Sequence, residues 1–305
     1  MMSNRIVFLK TLILVGMIWS STYMMITKFR VGFIAGKLLP LFLGLCIITS
    51  SIGLAYRQTQ AQGECTGEFI SVSLPLDDLG ANEYVRLDGT PTGFLGGLYP
   101  GGMNIRPSHH ENAGVSIAKQ IKPLDEFGQI DLVNGKVVLI SVGMSNTRME
   151  FEGFISQINV DFSINPGLVI VNGAQGSQVS DRWADPNAEV WLKLEKLLED
   201  SGVTPLQVQV AWVKLAQFGY GDFPEKAQSL QADLEAVSRN LKSRFPNIKI
   251  AYHSSRTRAY LYWIGLSPEP TAFETAFAVK WMVEDQINGD PDLNFDPSSG
   301  DVVAP

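Results

Sequence analysis

Ser145 is the hydroxyl in this chain best placed to do chemistry. It lies in Gly143-Met144-Ser145-Asn146, directly after the apolar run Val137-Val138-Leu139-Ile140-Ser141-Val142. In an alternating β/α sheet the loops past the carboxyl ends of the strands converge on one edge, so a serine on that turn stands where a nucleophile stands. Acyl transfer also needs hydrogen-bond donors aimed at the developing oxyanion and a base for the hydroxyl proton. Three more strand signals end in segments that reach the same edge: Asn172-Gly173-Ala174-Gln175-Gly176, Lys214-Leu215-Ala216-Gln217 and His253-Ser254-Ser255-Arg256. The expected donors are the N–H of Ser145, the N–H of Gly173 and the side-chain amide of Gln217. Glycine at 173 is expected because a substrate oxygen must approach the backbone closely. Asn146, Asn172, Gln175, Arg182, Trp183, His253 and Arg256 are the expected substrate contacts, with Arg182-Trp183, flanked by Asp181 and Asp185, offering stacking and hydrogen bonds to a sugar. Of the three histidines, only His253 falls at this edge. It is read either as a base or as a partly buried histidine bonded to a loop.

The elements that must carry these residues follow from periodicity. Strands are expected over 137–142, 168–171, 208–213 and 248–252. Helices are expected over 147–158, 187–198, 224–244 and 270–287, the first from Met149, Phe151, Phe154, Ile155 and Ile158 at helical spacing. Right-handed crossovers turn such a series into one parallel sheet with helices on both faces. Residues 62–134 form a turn-rich extension, with one helix expected over 111–121 before Pro123. Its cluster Gly96-Gly97-Leu98-Tyr99-Pro100-Gly101-Gly102 lacks the Lys-Ser/Thr ending of a phosphate loop and the strand-to-helix setting of a dinucleotide site. No cofactor is expected.

Composition bounds the partners. The 305 residues carry a net charge of −7 with no polybasic stripe, which argues against nucleic acid. Two apolar runs, 11–27 and 38–55, flank Lys28, Arg30 and Lys37. A run of about 18 apolar residues can span a bilayer, so residues 1–61 are read as a signal peptide or membrane anchor. With the basic segment kept inside, the α/β domain at 135–305 is expected outside the cytoplasm. Cys65 is the only thiol beyond the apolar runs, so no disulfide is expected within that part. His109-His110-Glu111 lacks ligand spacing on one helix face, and no metal site is expected.

In combination, several stretches resemble the SGNH (GDSL-like) hydrolases, in particular an exported bacterial group with Gly-Met-Ser-Asn at the nucleophile turn. The stretches are Gly97-Leu98-Tyr99-Pro100-Gly101-Gly102, Val142-Gly143-Met144-Ser145-Asn146-Thr147, Val171-Asn172-Gly173-Ala174-Gln175-Gly176, Ala211-Trp212-Val213-Lys214-Leu215-Ala216, Phe245-Pro246-Asn247-Ile248, Ser254-Ser255-Arg256, Pro268-Glu269-Pro270 and Phe277-Ala278-Val279-Lys280-Trp281. The resemblance implies a flavodoxin-like three-layer sandwich, Ser145 as nucleophile and Gly173 in the oxyanion hole. It implies an ester substrate such as an acetylated glycan. The family carries asparagine as third donor where Gln217 aligns, and supplies its base from an Asp-x-x-His segment that these 305 residues do not contain. The expected domain therefore lacks its last elements. The alternative reading is a non-catalytic envelope protein that binds glycan or protein on the same fold.

Overall fold

The computed structural model describes residues 75–161, 163–255, 267–296 and 301–302. The apolar runs of 1–61, the two cysteines and Arg256 lie outside them. All described residues belong to one compact unit, Phe69–Pro305.

The element order is α1 (Leu76–Leu79), β1 (Glu83–Val85), β2 (Pro91–Leu95), α2 (Ser108–Ala118), β3 (Val137–Gly143), α3 (Ser145–Ile158), β4 (Leu168–Val171), α4 (Ser180–Ala184), α5 (Glu189–Asp200), β5 (Val208–Lys214), α6 (Glu225–Arg244), β6 (Ile250–Ser254) and α7 (Thr271–Ile287), followed by the short α8 (Pro291–Asn294), β7 (Phe295–Asp296) and β8 (Asp301–Val302). Strands β3 to β6 form a four-stranded parallel sheet in the order β4-β3-β5-β6. That order is compatible with a flavodoxin-like arrangement. The chain leaves β3 toward one side, returns, and continues on the other, so a switch point lies between β3 and β5.

Alternation along the strands separates the two faces. Val138, Ile140 and Val142 of β3 join Ala211 and Val213 of β5 in a core completed by α5, α6 and α7. On α5 the buried residues Val190, Trp191, Leu194 and Leu198 form one stripe. On α6 the stripe is Leu230, Leu234, Val237 and Leu241. The neighbours in sequence face the other way, where Phe151 of α3 stacks on Trp212 of β5 with ring centres 5.7 Å apart.

The turn-rich extension is built into this unit. Tyr84 of β1, with Phe94 of β2, enters an aromatic cluster with Phe223, Phe273, Phe277 and Trp281. Lys280 of α7, almost fully buried, donates to the carbonyls of Leu95 and Gly96 at 2.7 Å each. The extension's helix runs over Ser108–Ala118 and not 111–121. Pro107 supplies its start, a place where proline's missing N–H costs little. No helix among the described residues is long and apolar enough to cross a membrane.

Candidate active site

Ser145 is the first residue of α3 and is exposed to solvent, with extended Met144 as the turn between strand and helix. The unpaired N–H groups of the first helical turn and their partial positive charge lie beside it. Its Oγ makes no hydrogen bond among the described residues.

Why the turn has this shape is written in its neighbours. A Cβ on Gly143 would stand 2.3 Å from Thr147 Oγ1 and 2.5 Å from the carbonyl oxygen of Lys214, so only glycine fits. Thr147 Oγ1 donates to that same carbonyl at 2.7 Å, fixing the first turn of α3 on the end of β5. From the other side, the Gln175 N–H donates to the Gly143 carbonyl at 2.9 Å. The loop after β4 therefore lies against the turn that carries Ser145. Asn172 strengthens the arrangement: its Oδ1 accepts from Ser141 Oγ at 2.7 Å, and its Nδ2 donates to the Arg148 carbonyl at 3.0 Å. The amide of Gln175 reaches the Val190 carbonyl at 2.7 Å. Asn146 is half-buried at the head of α3.

Gly173 is buried, and packing by itself already requires glycine there. A Cβ there would lie 2.4 Å from Leu194 Cδ1 and 2.6 Å from the Ser141 carbonyl oxygen. Close packing of the loop on α5 and β3 accounts for the residue without a ligand.

Gln217 is half-buried, and both hydrogens of its amide are engaged. Nε2 donates to Ser229 Oγ at 3.0 Å and to Asp233 Oδ2 at 2.8 Å. The same Asp233 oxygen accepts from the fully buried Ser180 at 2.6 Å. An oxyanion would have to displace one of these partners to receive the Gln217 amide.

Two expected contacts are corrected. Trp183 has no exposed surface; its indole packs edge-on against Trp191 with centres 4.9 Å apart, so it offers no stacking face to a sugar. His253, half-buried on β6, has its Nε2 3.1 Å from Ser238 Oγ of α6. Burial pushes its pKa down to about 4. The partner of this histidine is therefore a helix hydroxyl and not the expected loop, and the ring is not presented at the sheet edge as a base. Arg182 is exposed on α4.

Lys214, in the segment expected at the sheet edge, has a partner that its position in the sequence does not reveal. Its Nζ donates to both carboxylate oxygens of Glu150, at 2.8 and 2.7 Å, with the lysine mostly buried. A charged residue closing an otherwise uncharged strand is the available signal. Asp233, which holds Gln217, left none. Among the described residues no group of three His, Cys, Asp or Glu side chains is placed to hold a metal.

The arrangement presents an accessible hydroxyl at a helix N-terminus, over a switch point, with the loop after β4 bonded to its turn and the end of β5 bonded to the first turn of its helix. Comparison of this chain with protein-family models, with curated proteins and with solved structures finds no match.

Proposed function

We propose that this chain is an SGNH-type serine esterase acting outside the cytoplasm on an ester such as an acetylated glycan, with Ser145 as nucleophile. The observation that carries this reading is the bond from the Gln175 N–H to the Gly143 carbonyl, which sets the loop of Gly173 against the turn of an exposed Ser145. In that role the Ser145 oxygen attacks the ester carbonyl, and backbone N–H groups at the head of α3 and at Gly173 receive the oxyanion. The hydroxyl proton needs an acceptor, and no histidine is hydrogen-bonded to Ser145 among the described residues. His253 is sequestered.

A second reading has its own support. With the Gln217 amide engaged by Asp233 and Ser229, the same edge suits a protein that binds a glycan without cleaving it. Covalent labelling by a fluorophosphonate probe separates the two. The esterase reading expects labelling of wild type and none of Ser145→Ala. An unlabelled wild type that hydrolyses p-nitrophenyl acetate no faster than Ser145→Ala would refute it.

A further inference from the structure

An open cleft of about 350 Å³ lies between the loop after β4, helix α4 and the start of α5. Its size falls in the range of about 300–1,000 Å³ that small-molecule sites occupy. Ala188 and the buried Val190 supply apolar lining, and Ser177, Gln178, Arg182, Asp185, Glu189 and Lys193 supply polar lining. Two features set it apart from an ordinary surface dent. Ser177 holds a left-handed backbone, φ 63°, at an exposed position where glycine would be the unstrained choice. Strain of that kind costs of order 1 kcal/mol and clusters at active sites and ligand clamps. The second feature is an open pair of charges. Glu189 and Lys193 neutralise each other at 3.2 Å, whereas Arg182 makes no ion pair among the described residues. Asp185 uses one oxygen to hold the Asn187 N–H at 2.8 Å, and its other oxygen has no partner among the described residues.

The charge pattern selects the ligand. A phosphate would meet two carboxylates, and a metal cation would meet a guanidinium and an ammonium. An apolar ligand would strip water from four charges without replacing it. A sugar ring suits all of them, since each hydroxyl of a vicinal diol can accept from Arg182 while donating to Asp185, and the C–H face of the ring can lie on the half-buried Ala188. We infer that this cleft binds a neutral carbohydrate through Ser177, Arg182 and Asp185. The inference rests on the hydrolase reading only in taking that sugar to be the one bearing the ester. The loop that brings Ser177 to the cleft is the loop whose Gln175 is bonded to the Ser145 turn.

The test titrates the full chain separately with xylotriose, chitotriose and cellotriose, and with inorganic phosphate, by isothermal calorimetry. At least one trisaccharide is expected to bind, and Arg182→Ala and Ser177→Gly are each expected to weaken it about tenfold, the loss of one charge-assisted or strained contact. Ser177→Gly relieves the left-handed strain, so an unchanged or raised thermal midpoint in that variant shows that weaker binding is not unfolding. No binding of any trisaccharide to wild type, wild-type affinity in both variants, or preference for phosphate overturns the proposal. Ser145→Ala is expected to bind the sugar as wild type does. Intact sugar binding in a chain that the fluorophosphonate fails to label would remove the nucleophile and leave the cleft standing.

Discussion

Arg86 of the first hairpin donates to Oε1 of Glu274, 188 residues further along the chain, at 3.1 Å. Tyr84 donates to the same oxygen at 2.9 Å. Glu274 is thus the point where the extension is fastened to α7, and it does this nearly fully buried. Its other oxygen, Oε2, is buried with no partner among the described residues. It lines a cavity of about 10 Å³ with Gln217, Ser267 and Thr271, room for about one water.

Removal of Glu274 should therefore cost much more than its neutralisation. Glu274→Ala leaves Arg86 and Tyr84 facing an emptied site, and a loss of about 3 kcal/mol is expected in urea denaturation. Glu274→Gln keeps an acceptor for both donors and is expected to lose under about 1.5 kcal/mol. The pH dependence carries a sign that separates them. Burial raises the Glu274 pKa, against the lowering influence of Tyr84 and Arg86. A carboxyl whose pKa is raised on folding favours the native state while it is protonated. Its contribution is lost as pH rises from the unfolded value through the raised one. Relative to Glu274→Gln, wild type should gain stability on acidification from neutrality toward that window. A difference between the two that shrinks or reverses on acidification would show that the ion pair, not burial, dominates.

His253 predicts the opposite slope. Its pKa is pushed from 6.5 down to about 4 by burial. The unfolded chain then binds a proton that the folded chain refuses, so stability declines as pH falls from 6.5 to about 4. The shift corresponds to roughly 3–3.5 kcal/mol. His253→Leu should abolish that component of the pH profile. Ser238 Oγ, which also donates to the Leu234 carbonyl at 2.9 Å, remains satisfied in the variant.

Gly173→Ala is expected to destabilise by about 1–3 kcal/mol, the usual cost of overpacking. Its Cβ would meet Leu194 Cδ1 and the Ser141 carbonyl oxygen. Leu194→Ala in the same chain should recover only part of the steric loss in a double-mutant cycle, because the Ser141 contact is backbone. Complete recovery would show that the strand, too, can give way.

Much of this architecture was legible because the signals are local. The strand expected at 168–171 is observed at those residues, and 137–142 and 208–213 each gain one residue at the carboxyl end. The strand expected at 248–252 begins two residues later, since the Ile248 N–H closes a turn onto the Phe245 carbonyl and is not free to enter the sheet there. What stayed illegible depends on partners far apart in sequence. Trp183 reads as an exposed loop aromatic until Trp191 is packed against it. The packing reason for Gly173 needs Leu194, and the fastening of the extension needs Glu274 to meet Arg86 across most of the chain. For the candidate site, the sequence located the turn and its neighbouring loops but not which donors were already engaged.

Asp233 decides that last question for Gln217, and yields the remaining prediction. Its Oδ2 holds Gln217 Nε2 at 2.8 Å and Ser180 Oγ at 2.6 Å. Asp233→Ala strands the hydroxyl of Ser180, which has no exposed surface, and should cost about 1–3 kcal/mol. Asp233→Asn retains one acceptor oxygen and should cost less, with Ser180 keeping its bond. Either variant loosens the Gln217 amide, still tied to Ser229 at 3.0 Å. If Gln217 is an oxyanion donor restrained by Asp233, Asp233→Asn should label faster with fluorophosphonate than wild type while unfolding at slightly lower urea. Gln217→Leu in the Asp233→Asn background should return labelling to the wild-type rate or below. Labelling rates that ignore both changes would restrict oxyanion binding to the backbone N–H groups of α3 and Gly173, and leave Gln217 with the purely structural task of joining the β5 loop to α6.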